Sequence, residues 1–322
     1  MTQFDVVGVG NAIVDVIAIV DETFIAEHHL AKGAMSLIDA ARATQLYEAM
    51  PAGIEASGGS AANTMAGIAS FGGRAAYVGK VRDDQLGEVF RHDIRATGVS
   101  YDVPFATEGP PTARCLIQVT PDAQRTLNTF LGVSSLLAPI DIDENLVASA
   151  KVVYCEGYLW DVEIAKQAIR KAMDAGRASG AKNALTLSDS FCVDRHRDEW
   201  LELIESRVDI VFANETEICA LYQCDWEEAA TKIAGQVDIA CLTRSAHGST
   251  IVTQRERLAV AAHPCDHLVD TTGAGDLYAS GFLYGYTHGF DLDACGRLAS
   301  LAAAEIIGHV GARPAVALRS LL

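Results

Sequence analysis

The chain has 322 residues, half of them apolar, and its 42 acidic against 25 basic side chains give a formal net charge of −17. So negative a molecule is not expected to bind nucleic acid or anionic membrane through general charge attraction. Phosphate binding stays open, because helix N-termini and local basic groups can supply it whatever the overall charge.

At the N-terminus the first charge is Asp5, and Asn11 and Asp15 interrupt the apolar run from Val6 to Val20. Neither a targeting leader nor a membrane span is expected there, and the cytoplasm is the expected location. Phe4 to Val9 and Val14 to Val20 are rich in β-branched residues and predict strands. Gly8-Val9-Gly10-Asn11 looks like half a dinucleotide fingerprint, but the third glycine is missing and a strand rather than a helix follows. Ser57-Gly58-Gly59-Ser60 reads as a turn opening an apolar helix through Ala61, Met65 and Ile68 to Gly72-Gly73, with a strand at Ala75 to Val78. Val103, Thr112 and Arg114 to Val119 read as strands separated by Pro110-Pro111 and ended by Pro121-Asp122.

Beyond this insertion, strand-like runs at Val152 to Cys155, Ala184 to Leu187, Ile210 to Phe212, Ile239 to Leu242 and Thr250 to Val252 alternate with helical patterns such as Ile164 to Ala178 and Leu292 to Ile307. Strands spaced by helices predict an α/β fold with a mostly parallel central sheet covered by helices on both faces. The expected division is a large α/β unit over residues 1–10, 40–102 and 132–322, and a small β lid over 11–39 and 103–131. The lid offers a sheet edge that can pair, but the sequence does not fix the oligomeric state. Eight cysteines stand singly without a CxxC pair and read as free thiols, and His263, Cys265 and His267 lack a partner half at zinc spacing.

Asp270-Thr271-Thr272-Gly273-Ala274-Gly275-Asp276, followed by an apolar helical run to Tyr286, carries the strongest chemical signal. The glycines let backbone approach an anion, and the helix start offers N–H groups of Gly273, Ala274 and Gly275 to a phosphoryl group in transit. Asp276 lies in the first turn, where its carboxylate can take the proton of a hydroxyl that attacks a γ-phosphate.

This heptapeptide is similar to the second signature of the ribokinase-like (PfkB) kinase family. Residues 58–79 resemble its first signature, and Asn214-Glu215-Thr216-Glu217 resembles its N-x-x-E element; the likeness runs over nearly the whole chain in order. Arg82 departs from the family's usual glycine and puts the local turn in question. The resemblance implies ATP and Mg²⁺ as cofactors, with Asn214 and Glu217 toward the metal. It implies Thr243, Arg244, Gly248 and Thr272 toward ATP. It also implies that Asp15, the Asp of G-x-G-N-x-x-x-D, accepts hydrogen bonds from vicinal hydroxyls of the acceptor, beside Asn11, Gly59, Ser60 and Asn63. Arg125 matches a basic lid position that approaches phosphate on closure.

Thr186 to Phe191 and Tyr154 to Tyr158 resemble the adenosine-phosphorylating branch, with Phe130 and Tyr158 offered as flat contacts to a purine or as ordinary packing. The 5′-hydroxyl of adenosine is therefore the expected acceptor. Another nucleoside (inosine, guanosine), a free sugar (ribose, fructose) and a catalytically silent sensor stay open.

Overall fold

The computed structural model describes residues 2–122 and 124–322. The chain opens with β1 (Phe4–Val9), buried from its second residue onward, as expected of an apolar strand covered on both faces. In β2 (Ile13–Ile19) the burial alternates instead, the mark of a sheet with one open face. The short β3 (Met35–Leu37) and β4 (Ile54–Gly58) follow, then the helix Ser60–Ser70 and β5 (Ala75–Val78). After the helix Gln85–Ala96 come β6 (Ala113–Val119) and β7 (Arg125–Phe130). The rest of the sheet is built by β8 (Ala150–Glu156), β9 (Lys182–Thr186), β10 (Ile210–Asn214), β11 (Ile239–Thr243), β12 (Ser249–Val252) and β13 (Arg257–Val260).

Eight strands form the large sheet in the order β13-β12-β11-β10-β9-β8-β1-β5. Pairing is parallel from β5 to β11 and antiparallel for the last two strands. Its core joins valines of β1 to Tyr154, Phe212, Ile169, Trp160 and Trp200 in one continuous buried cluster. The second sheet has five strands in the order β3-β7-β6-β2-β4, with β2 parallel to β6 and antiparallel to β4. Among the described residues no helix is long and apolar enough to cross a membrane.

Two sequence expectations need correction. Residues 54–58, placed within 40–102 of the large unit and partly as a turn, form the edge strand β4 of the small sheet. Glycine and serine weaken the strand pattern there, while pairing to β2 supplies what local propensity lacks. Val103 is not in a strand, and its neighbours bridge back to the large unit, Ser100 with Ala76 and Ala106 with Arg82. Tyr101 packs against Tyr77 and Phe90, so burial holds this segment against the main core. The turn at Arg82 is ordered by Asp84, which caps the next helix at the Gly87 amide and accepts from both the amide and hydroxyl of Thr112.

Candidate active site

From β1 the chain runs outward to β5 on one side and, through β8, to β9, β10 and β11 on the other. The strand order therefore reverses between β1 and β8, and α/β sheets open a crevice at the carboxyl ends of such strands. Asn11 and Glu156 stand at that point. Glu156 is fully buried; one carboxylate oxygen accepts from the Asn11 amide (2.7 Å) and Nδ2 (2.9 Å), the other from the Ala61 amide (2.7 Å). Burial pushes its carboxyl up to about 7, although these bonds favour the charged form. Asn11 Oδ1 in turn accepts from Ser134 Oγ at 2.9 Å. Asn11, expected at the acceptor, is thus buried and engaged on both sides, and it ties the crevice floor together.

Above this floor the helix Ala274–Thr287 begins at Gly273, whose φ of 79° is the left-handed conformation glycine permits. Of the three amides expected to face an anion, that of Ala274 is engaged, donating to Thr271 O at 3.2 Å to close the turn. Among the described residues the amides of Gly273, Gly275 and Asp276 meet no backbone partner, and the space beside Gly275 is open. Asp276 is held by two donors from the helix Ser60–Ser70: Ser60 Oγ at 2.6 Å from Oδ1 and Asn63 Nδ2 at 2.9 Å from Oδ2. Positions three apart share a helix face, which lets both reach one carboxylate. The sequence placed Ser60 and Asn63 at acceptor hydroxyls; here they orient Asp276, and Asn63 Oδ1 remains buried and unpartnered. Burial raises the Asp276 carboxyl above its ordinary range, with the two hydrogen bonds opposing it. Gly59, just before this helix, has φ of 98°, and a β-carbon there would lie 2.2 Å from Asn11 O.

Asp15 projects from β2 on the face shared with Cys115 and Thr129, its register partners across β6 and β7. No donor among the described residues reaches its carboxylate. Burial raises it to about 6, with Arg313 and then Arg125 acting against that rise. Arg125 starts β7 opposite Val119, on the same face, and forms a 2.8 Å ion pair with Asp270, both side chains being nearly buried. Asp270 also accepts from Thr272 (amide 3.1 Å, hydroxyl 2.8 Å) and from the Gly311 amide (3.1 Å). The small sheet and the turn 270–276 are therefore joined directly, and Thr272 is folded onto the turn rather than free. Phe130 pairs with Arg114, on the opposite face from Asp15. It is a buried packing residue there, the second of the two roles expected for it. Tyr158, 38% exposed in the 3-10 turn Gly157–Asp161, is open to solvent.

Comparison with known proteins places this geometry. The description "pfkB family carbohydrate kinase" matches residues 35–317. The chain belongs to the PfkB carbohydrate kinase family. It is 52% identical to a solved adenosine kinase from Sinorhizobium meliloti, covering 99% of this chain and 98% of that one with a TM-score of 0.92. It is 51% identical to a solved probable sugar kinase from Rhizobium etli, covering 100% and 98% with a TM-score of 0.93. Adenosine kinase 1 of Arabidopsis thaliana is 26% identical over 340 residues, 96% of each chain. The architecture is the ribokinase-like α/β fold expected from the sequence.

Elsewhere in this PfkB kinase, Thr243 ends β11, and the Arg244 amide donates to Gly248 O at 2.8 Å to close the following loop. Arg244 was expected to contact ATP directly. Its guanidinium instead pairs with Glu215 at 3.1 Å and stacks 4.6 Å over Trp226, which fixes it at the loop's flank. Asn214 and Glu217 form a reciprocal helix cap. Asn214 Oδ1 accepts from the Glu217 amide (2.9 Å), and the Glu217 oxygens accept from the Asn214 amide (3.0 Å) and Nδ2 (2.6 Å). Burial raises the Glu217 carboxyl to about 7. With each oxygen already holding one donor, this pair does not fit direct chelation. Each carboxylate oxygen keeps a second acceptor site, so it fits a hydrated divalent ion held through water.

Two residues of the site escaped sequence reading. Glu156 carries a detectable signal, a lone acid in the apolar strand Ala150–Glu156, the same signal that marks Asp15. Arg313 carries none: it follows the last long helix in an irregular segment, 37 residues past Asp276 by numbering.

Proposed function

We propose that this PfkB kinase transfers the γ-phosphoryl group of ATP to the 5′-hydroxyl of adenosine. The observation that carries the reading is the pairing of an oriented, partly buried Asp276 at a helix start with a free carboxylate, Asp15, on the lid. Asp15 and the buried acceptor atom Asn63 Oδ1 suit the donating hydroxyls of a ribose diol. The diol held there directs the primary hydroxyl toward Asp276, which takes its proton as the oxygen attacks the γ-phosphorus and ADP departs. A carboxylate raised by burial is the stronger base for this step. The Gly275 and Asp276 amides stabilise charge on the phosphoryl oxygens, and Arg125 on the lid adds a cation close to the same turn. Mg²⁺, held through water by Glu217 and Asn214, would neutralise polyphosphate charge. Lid closure keeps water from the phosphoryl group and so limits idle ATP hydrolysis.

The near-equal similarity to a probable sugar kinase favours a free sugar such as ribose or fructose as the second reading. Both share Asp276 and Asp15, and they differ in what lies beyond the ring. An intact base and amide turn argue against a silent sensor. The test is ADP release coupled to a panel of adenosine, inosine, guanosine, ribose and fructose, with the product's phosphorylation site assigned by ³¹P NMR. Adenosine-stimulated turnover with a 5′-phosphate product is expected. Turnover with ribose or fructose and none with adenosine would overturn the nucleoside reading.

A further inference from the structure

The segment after the helix Leu292–Ile306 is tied down at two points. The Gly311 amide donates to Asp270 at 3.1 Å, and Glu305 accepts from the amides of Ala315 (2.9 Å) and Val316 (3.3 Å). Between these anchors, Ala312 packs against the turn glycine Gly273, where an added β-carbon would stand 3.1 Å from it. The next residue, Arg313, sends its side chain to the edge strand of the small sheet, where Nη2 donates to Ser57 Oγ at 3.2 Å. It thus runs from the catalytic turn to the lid.

Arg313 has one partner for a five-donor group. Its Nε and Nη1 are buried without any hydrogen bond. Among the described residues no carboxylate forms an ion pair with it, yet its charge acts on Asp15 first, and then on Tyr77, Asp276 and Asp93. Asp15 in turn has no donor among the described residues, and its carboxylate lies against Gly58, next along β4 from Ser57. A buried cation with idle donors beside an acid with no donor is costly unless something fills the gap. A hydroxyl group is suited to that gap, being donor and acceptor at once.

We propose that Arg313 is a specificity-determining residue that donates from one of its idle N–H groups, on Nε or Nη1, to the acceptor hydroxyl that itself donates to Asp15. This rests on the proposed acceptor chemistry, a vicinal diol, and adds the donor half of its recognition. It makes the site selective for acceptors in which that hydroxyl is present.

The test compares the parent enzyme with Arg313→Gln and Arg313→Lys. Each is assayed for KM and kcat with adenosine, 2′-deoxyadenosine and 3′-deoxyadenosine, and its thermal midpoint is recorded. Losing a hydrogen bond to a charged group is expected to raise KM for adenosine roughly 10- to 100-fold in Arg313→Gln. The KM for ATP should hold, and the penalty should shrink for whichever deoxy analogue lacks the contacted hydroxyl. Lysine should recover only part of the loss, because it cannot present the planar fork. If the parent enzyme uses ribose or fructose instead, the nucleoside reading has failed. The same comparison then runs with that sugar and its deoxy forms, and a shrinking penalty still supports Arg313. Equal penalties for all acceptors, or a fall in kcat and thermal midpoint with KM unchanged, would overturn the proposal.

Discussion

Asn63 Nδ2 stands 2.9 Å from Asp276 Oδ2, joining two residues 213 positions apart in sequence. The bond favours the ionised carboxylate, so its removal should raise the Asp276 pKa further. Asn63→Leu is therefore expected to move the acidic limb of the kcat pH profile to higher pH, since the base must be ionised to accept a proton. An acidic limb that stays in place would mean that Asn63 does not act on Asp276.

Arg125 and Asp270 link the small sheet to the turn 270–276, with both side chains nearly buried. Removing one partner of such a pair typically costs about 3–5 kcal/mol because the other charge is left buried. Arg125→Met should speed amide exchange in β7 and lower kcat, while Arg125→Met combined with Asp270→Asn should recover part of the protection. Unchanged exchange in β7 would show that the pair does not hold the lid.

The reciprocal cap at Asn214 and Glu217 makes separate predictions for fold and metal. Asn214→Ala should cost about 1 kcal/mol in urea unfolding, the usual loss for a helix cap. Glu217→Gln should raise the Mg²⁺ concentration for half-activity several-fold, because the charge that orders the ion's water is gone. A Mg²⁺ titration identical to the parent's would leave Glu217 with the capping role alone.

Four carboxyls in or near the crevice are raised: Asp276, Asp15 to about 6, and Glu156 and Glu217 to about 7. Between the ordinary carboxyl range and these values, the folded chain binds more protons than the unfolded chain. Their contribution to stability is thus fully present below about pH 4 and is lost as pH rises through 6 to 7. Carboxyls lowered by partners, such as Asp122, act with the opposite sign but at lower pH. Unfolding free energy measured by urea should therefore decline less steeply from pH 5 to 7 in Asp15→Asn than in the parent. Parallel slopes would contradict the raised Asp15.

Much of the fold was legible because buried parallel strands are continuous apolar runs. Phe4 to Val9 and Ala75 to Val78 coincide with β1 and β5, and the turn from Asp270 to Asp276 does open a long helix. Segments whose stability is borrowed from partners were not legible. β4 contains serine and glycine and is made by β2, and β3 has only three residues. Ser60, Asn63 and Asn11 also make contacts that the motifs did not reveal, for a related reason. Sequence motifs mark which residue types gather at a site, while which of them bond each other depends on contacts across more than a hundred positions. Arg313 lies outside every motif, and only its place between Gly273 and Ser57 marks it.

The central claim, that Asp276 is the base of a phosphoryl transfer, is tested most directly by steady-state kinetics of Asp276→Asn with the preferred acceptor. Asparagine keeps the shape and can still meet Ser60 or Asn63, but it cannot take the proton. The account predicts a kcat lower by roughly 10²–10⁴ with KM for ATP and acceptor nearly unchanged. A variant that turns over at close to the parental rate would contradict it.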